Sequence, residues 1–211
     1  MNNPVNSDAL VVAGDGKIYL ASYVGSTPGE SGAVSVVNPA TLVETPVVAL
    51  EIAARDMFIE SNDDIFVTGM SDQMGAKSLY RLPAGAYASP EVLRTGLGRV
   101  WCMTKLDTNI YYSNLSAIVK IPGGGSAETF LAKSVMSLSA ASDRLFYADY
   151  FGGKIGMINL TTKADSTLLS GLHYPNRVRW VPSTRRLYFV ECGTEGAQYK
   201  NGTLQVVKGI Q

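Results

Sequence analysis

Three oxygen-bearing side chains recur at related intervals in the second half of the sequence. Asn114, Asp149 and Glu191 are separated by 35 and 42 residues, and each stands where a short apolar-aromatic run ends. In a repeating fold they would occupy one structural position in three consecutive repeats. Carboxylate and amide oxygens are the ligands that Ca²⁺ and Mg²⁺ prefer. One prediction is therefore a divalent cation bound by these residues at the rim of a central channel; the alternative is hydrogen bonding between neighbouring repeats.

Other chemically reactive side chains are few. The sequence has one histidine, His173, and two cysteines, Cys102 and Cys192, which excludes a transition-metal site built from several Cys and His ligands. We predict that both cysteines are buried free thiols, because free cysteine behaves mostly as a small apolar residue; the alternatives are a disulfide or a reactive thiol. A G-x-S-x-G nucleophile motif is absent, and the glycine runs at 123–125 and 152–153 are typical of hairpin turns. We predict no catalytic residue.

Aromatic residues in or beside predicted loops are the stronger indication of binding. Exposed aromatic side chains near loop tips are typical of surfaces that contact proteins or sugars. The predicted ligand-binding residues are five such aromatic residues and the single histidine: Tyr23, Tyr150, Phe151, His173, Tyr174 and Tyr199.

A repeat must position these residues. A short motif of polar turn, aliphatic residue, aromatic residue, apolar residue and small residue occurs five times. Its aliphatic positions are Ile18, Ile65, Ile110, Leu145 and Leu187. The spacings of 47, 45, 35 and 42 residues are near the period of about 40–45 that is typical of β-propeller blades. Runs rich in Val, Ile, Leu, Tyr and Phe precede and follow each motif, bounded by Gly, Pro, Asn and Asp, as antiparallel strands require.

The sequence therefore predicts an all-β propeller of about five four-stranded antiparallel blades in one domain, 1–211. The predicted blades cover residues 8–50, 51–96, 97–134, 135–171 and 172–211. The last blade has no candidate for its outer strand. This leaves two alternatives: a closed five-bladed monomer whose last blade has three strands, or part of a propeller of six or more blades.

The composition of the chain argues against some classes of binding partner. Lys plus Arg and Asp plus Glu number 18 each, so no net charge attracts nucleic acid or an acidic membrane surface. No apolar run approaches the roughly 20 residues that cross a bilayer. The N-terminal residues show no signal peptide within this sequence.

The stretch from Leu145 to Leu160, "LFYADYFGGKIGMINL", resembles the YWTD and NHL-like β-propeller superfamily. The match is partial for Asn109 to Ile121 and is a pattern of residue classes elsewhere. In YWTD-like blades the residue matching Asp149 generally bridges neighbouring blades. Members of the superfamily include protein-binding receptor modules, bacterial cell-surface or periplasmic proteins, and metal-dependent lactonases of the gluconolactonase type. The fold alone does not distinguish among these functions.

Two functions follow from these observations. The first is a non-catalytic binding or scaffold propeller without a cofactor, secreted, periplasmic or at the cell surface, that recognises a protein or carbohydrate through loops on one face. The second is a lactonase-type hydrolase with Ca²⁺ or Mg²⁺ bound by Asn114, Asp149 and Glu191, where the metal would polarise a carbonyl or activate water.

Overall fold

The computed structural model describes residues 6–23, 31–70, 77–194 and 201–210, with side chains from residue 9 onward. The chain divides into two compact units, Met1–Cys102 and Met103–Gln211. All regular secondary structure in the described ranges is β-strand. No helix there is long and apolar enough to cross a bilayer.

The first unit contains two four-stranded antiparallel sheets. Each is a meander in which consecutive strands pair. The strands of the first sheet are β1 (Asn6–Val12), β2 (Ile18–Tyr23), β3 (Gly32–Val37) and β4 (Glu44–Leu50). Those of the second sheet are β5 (Ala53–Ile59), β6 (Ile65–Met70), β7 (Lys77–Leu82) and β8 (Glu91–Thr95).

Three further meanders follow, the first of them starting at the boundary of the second unit. The third sheet contains β9 (Cys102–Leu106), β10 (Asn109–Ser113), β11 (Ile118–Ile121) and β12 (Glu128–Leu131). The fourth contains β13 (Ser137–Ala141), β14 (Arg144–Asp149), β15 (Lys154–Asn159) and β16 (Asp165–Ser170). In the described residues the fifth has three strands: β17 (Pro175–Val181), β18 (Arg186–Glu191) and β19 (Thr203–Val207).

These sheets confirm the predicted fold class, an all-β propeller of five antiparallel blades whose last blade has three strands. The five aliphatic residues of the repeat all lie in the second strand of a blade. That the whole chain is a single domain stays a prediction.

The turn between the first and second strands of every blade contains a residue with positive φ. These residues are Gly16, Asp63, Asp107, Ser142 and Arg185, with φ between 48° and 82°. Glycine takes this conformation without strain, and aspartate tolerates it better than most residues do. The Gly- and Asp-rich turns of the sequence therefore specify the tight hairpins that separate the strands.

In the first unit, apolar side chains of the first two blades pack into one core. It contains Val34, Ile52, Ile65, Val67 and Leu82, each 0% exposed, together with the ring of Tyr19. A polar contact links the same two blades, because the Gly14 N–H donates to Asp63 Oδ1 at 2.8 Å. Strand β6 is buried at its first five residues, on both of its faces.

In the second unit, the fourth and fifth blades share a core formed by Phe146, Ala148, Val178, Leu187 and Phe189. The Phe146 ring also stacks on Trp180 with centroids 5.1 Å apart.

Serine hydroxyls link the inner strands of these blades. The Val178 N–H donates to Ser137 Oγ at 3.1 Å, and the Trp180 N–H donates to Ser139 Oγ at 2.9 Å. These bonds give partners to donors of β17 and fix its position against β13.

Tyr147 lies between the two residues of β14 that enter this core, and it makes a different set of contacts. Its hydroxyl donates to Asp165 Oδ1 at 2.7 Å, and the Lys133 ammonium lies 4.4 Å from its ring centroid. Lys133 Nζ also lies 2.9 Å from Asp165 Oδ2. Because Lys133 follows β12, this group joins the third blade to the outer strand of the fourth.

Candidate functional site

Three of the predicted ligand-binding residues lie together in the second unit. The Tyr150 and Phe151 rings meet edge to face with centroids 5.1 Å apart, and the Tyr150 and Tyr174 centroids are 4.9 Å apart. Tyr150 and Phe151 come from the β14–β15 connection, whereas Tyr174 precedes β17. We call Tyr150, Phe151 and Tyr174 the aromatic patch. Phe151 is 78% exposed, so the patch presents an apolar ring to solvent.

The β14–β15 connection is shaped by Asp149 and two glycines. Asp149 Oδ1 accepts a hydrogen bond from the Gly152 N–H at 2.8 Å, which closes the turn beneath the two rings. A Cβ on Gly152 would lie 2.3 Å from Asp149 Oδ2. Gly153 has φ +60°, and a Cβ there would lie 2.6 Å from Leu172 O. The glycines therefore permit a tight turn that holds Phe151 at its tip.

The β16–β17 connection is tied to both of its neighbouring blades. The Leu172 N–H donates to Gly153 O at 3.0 Å, and the Cys192 N–H donates to Tyr174 O at 3.1 Å. The His173 N–H donates to Glu191 Oε2 at 2.7 Å. The backbone that carries Tyr174 is therefore held in place on both sides, and the patch joins two consecutive blades.

Glu191 anchors this connection from inside the fifth blade. The residue is buried, 8% exposed. Its Oε1 accepts hydrogen bonds from Thr203 Oγ1 at 3.5 Å and from Gln205 Nε2. One carboxylate thus links the end of β18, strand β19 and the loop that carries Tyr174. Charge-assisted bonds of this kind are stronger than neutral ones.

The other two predicted metal ligands close local turns. Asn114 Oδ1 accepts bonds from the Ser116 N–H at 3.0 Å, from Ser116 Oγ at 2.8 Å and from the Ala117 N–H at 2.9 Å. Asp149 closes its own turn in the same way. In the part of the chain that the structure describes, no three His, Cys, Asp or Glu side chains form a metal-binding group. A cation held by Asn114, Asp149 and Glu191 stays a prediction.

The remaining predicted ligand-binding residues are dispersed. His173 is exposed, next to the patch in sequence. Tyr23 belongs to the first unit, where the Arg55 guanidinium carbon lies 3.8 Å from its ring centroid and 5.3 Å from that of Trp101. This is the geometry of a cation–π contact. Tyr199 lies outside the described residues.

Sequence reasoning did not find Arg55. For Glu191 it gave hydrogen bonding between neighbouring repeats as the alternative to a metal site, but it did not identify the His173 N–H as the partner. The signal for Arg55 was available: an arginine in the apolar strand "AARDMFI" requires a partner.

Both cysteines are free, as predicted. Cys102 is buried, but Cys192 is half-buried, so the prediction that both are buried is wrong for Cys192. The physical reason is position: Cys192 follows the last residue of β18 and lies where the sheet opens into a loop.

Comparison with solved structures supports the fold. The chain is 15% identical to a chain in a crystal structure of a nidogen/laminin complex, with a TM-score of 0.68 over 88% of this chain and 72% of that one. It is 16% identical to a calcium-binding protein, regucalcin from Agrobacterium tumefaciens, with a TM-score of 0.68 over 94% of this chain and 73% of that one. These neighbours confirm the YWTD/NHL-like resemblance as a likeness of fold. No family model and no curated protein matches the sequence.

Proposed function

We propose that this chain is a non-catalytic protein-binding propeller and that the aromatic patch is its contact surface. The observation that carries the proposal is the exposure of Phe151, 78%, on a turn whose backbone is held by Asp149 and by the neighbouring connection. A large apolar ring on a fixed backbone loses little conformational entropy on binding. Aromatic residues are enriched at protein interfaces for this reason among others.

The loop contacts support a binding role. The carboxylates of Asp149 and Glu191 accept hydrogen bonds from the two connections that carry the patch, so positioning accounts for both side chains. One of the structural neighbours is a chain from a complex of nidogen with laminin, which supports a protein as the ligand. We favour a protein over a carbohydrate because the exposed ring of the patch, Phe151, carries no polar group, whereas the two tyrosines that could bond a sugar hydroxyl are half-buried.

The test screens the parent chain in parallel against a random peptide library and a glycan array. We expect selected peptides whose affinity falls at least about tenfold in Phe151→Ser, since exposed aromatic anchors carry a large share of interface energy. Leu204→Ser is the matched control, because Leu204 is an exposed apolar residue, 70% exposed, on β19. Peptide binding that survives Phe151→Ser would overturn the site. Glycan binding lost in Phe151→Ser, without any peptide selected, would assign the patch to carbohydrate instead.

A divalent cation is the second candidate, and the calcium-binding neighbour is the observation that favours it. Asn114, Asp149 and Glu191 would hold the ion, and a lactonase-type hydrolase would use it to polarise a carbonyl. Thermal unfolding of the parent and of Asp149→Ala in calcium, magnesium and EDTA separates the two candidates. A structural Asp149 predicts the same loss of stability in all three solutions. A metal ligand predicts stabilisation by the cation in the parent and none in Asp149→Ala.

A further inference from the structure

The fourth and fifth blades enclose a cleft of about 340 Å³ at the end where the first strand of each blade turns into the second. Most of its lining residues belong to the β13–β14 and β17–β18 hairpins, so the contact between two blades forms it. Its apolar lining consists of Ala141, Phe146, Trp180, Pro182 and Ile210. Sites for small molecules measure about 300–1,000 Å³, so this cleft matches a ligand of one or two rings.

Two aromatic rings form part of this lining. The Phe146 side chain is fully buried, and its ring stacks on Trp180 with an interplanar angle of 25°. Trp180 is half-buried, so part of its side chain is accessible from the cleft. Aromatic rings prefer offset stacking on one another, and a ring of a ligand can extend this stack.

Three charged side chains line the same cleft: Asp143, Arg144 and Arg185. Asp143 Oδ1 lies 2.9 Å from Arg144 Nε, so these two charges compensate each other. Among the described residues, the Arg185 side chain makes no hydrogen bond or ion pair. The cleft therefore carries one positive charge without a partner in that part of the chain.

Arg185 occupies a turn position that two other blades fill with glycine and aspartate. The N–H groups of Gly16, Asp63 and Arg185 each donate to the carbonyl oxygen three residues earlier, at 2.9, 3.0 and 3.2 Å. All three residues have positive φ, which costs an arginine more than a glycine or an aspartate. Turn formation alone therefore does not favour arginine at this position.

Asp63 shows what a side chain at this position contacts. Its Oδ1 accepts the N–H of Gly14, which belongs to the turn of the preceding blade. Arg185 likewise lines the cleft together with Ser142 and Asp143, the turn of its own preceding blade. The aspartate has its partner within the protein, whereas the guanidinium has N–H donors for an anion that enters the cleft.

We propose that this cleft binds a small aromatic carboxylate. The ring of the ligand stacks with Trp180, and its carboxylate accepts hydrogen bonds from Arg185, because a planar guanidinium matches a carboxylate in bidentate geometry. A carboxylate carries one charge and matches one guanidinium, whereas a phosphate monoester carries nearly two. The cleft shares no residue with the aromatic patch.

The probes are 2-naphthoate and 2-naphthamide, which have the same rings and differ in charge, titrated into the full chain by isothermal titration calorimetry. We expect 2-naphthoate to bind with a Kd below about 1 mM and 2-naphthamide to bind at least about tenfold more weakly, the scale of a charge-assisted hydrogen bond. Arg185→Gln should remove this difference. Arg186→Gln is the matched control and should keep it, because Arg186 is also exposed but does not line the cleft.

Equal affinity of the parent for the two probes would overturn the proposal, and so would a difference that survives in Arg185→Gln. The saturated analogue decahydro-2-naphthoate tests the stack on Trp180 and should bind more weakly than 2-naphthoate. Equal affinity for these two acids would overturn the assignment of an aromatic ligand. Phe151→Ser should leave the affinity for 2-naphthoate unchanged, so failure at this cleft and failure at the aromatic patch are distinguishable.

Discussion

The fourth and fifth blades are built from similar strands but are buried to different extents. Their second strands match: Phe146 and Phe189 are 0% and 2% exposed, and both belong to the core that the two blades share. Their third strands differ at one position of the repeat, because Ile155 is fully buried in β15 whereas Leu204 is 70% exposed in β19. Both third strands are rich in apolar residues. Ile155 belongs to the core that the fourth blade shares with the fifth, so packing against a neighbouring blade, and not composition alone, buries it.

The acidic residues at the ends of the two second strands provide a second contrast. Asp149 is short and closes the turn that follows it, through the Gly152 N–H. Glu191 is longer and reaches back to the His173 N–H, 18 residues earlier in the chain. The two residues occupy one position of the repeat, but one shapes a local turn and the other ties two blades together.

The largest expected effect tests the core that the two blades have in common. Phe146→Ala should destabilise the protein by about 3–5 kcal/mol, the usual range for a truncated core aromatic residue. The measurement is urea unfolding followed by circular dichroism. Phe151→Ala is the control, since an exposed phenylalanine should cost less than about 0.5 kcal/mol. A loss below about 1 kcal/mol for Phe146→Ala would contradict the packing between the blades.

Glu191→Ala should have the next largest effect. The change leaves the N–H of His173 and the donors of Thr203 and Gln205 without their acceptor, and lost bonds to a buried carboxylate cost roughly 1–3 kcal/mol. Asp149→Ala, which removes one bond at an exposed turn, should cost about 1 kcal/mol or less. Urea unfolding of both variants ranks them. A larger loss for Asp149→Ala would reverse the contrast drawn between the two residues.

Whether a feature of the fold or the site could be predicted from the sequence depends on how far apart its contacting residues are along the chain. The repeat predicted the strands because each blade needs only local turns and apolar runs. The turn at Asn114 was equally accessible, since Asn bonds to backbone N–H groups two and three residues on are a local motif. For Glu191, hydrogen bonding between repeats was an alternative, but its partner, the His173 N–H, was not predicted, and neither was the Arg55 contact with Tyr23. Each contact joins different elements, and the sequence does not reveal how these elements meet.

The aromatic patch could be predicted in part. Tyr150 and Phe151 were placed in a loop by the glycines that follow them. Tyr174 was placed in another loop, but its contact with Tyr150 depends on the bond from the Leu172 N–H to Gly153 O. Sequence reasoning therefore identified the members of the patch without showing which of the six candidate residues would meet.

Tyr147→Phe tests the outer strand that the fourth blade has and the described fifth blade lacks. Removing the hydroxyl loses its bond to Asp165 Oδ1, which should cost about 1 kcal/mol at neutral pH. Burial, together with the hydrogen bond to the Asp165 carboxylate, raises the pKa of the Tyr147 hydroxyl well above its ordinary value. A raised pKa in the folded protein means that this contribution is fully present below about pH 10 and is lost as the pH rises further.

The difference in unfolding free energy between the parent and Tyr147→Phe should therefore be constant from pH 7 to 9 and smaller at about pH 10.5. Urea unfolding at each pH measures it. The other tyrosines titrate in both proteins and cancel in the difference. A difference that stays constant through this range would show that the phenol is not held in its neutral form by its surroundings.

The smallest effect is expected at the exposed Leu204 of β19. Leu204→Ser should change the unfolding free energy by no more than about 0.5 kcal/mol, because a side chain that is 70% exposed loses little burial when it becomes polar. Ile155→Ser, at the equivalent position of the fourth blade, is the counterpart and should cost at least about 3 kcal/mol, since it empties a fully buried site and introduces a hydroxyl there. Urea unfolding of the two variants measures what packing against a neighbouring blade contributes at this position of the repeat. A loss of about 2 kcal/mol or more for Leu204→Ser would mean that β19 is already covered in solution, and the two blades would then differ much less than their exposures indicate.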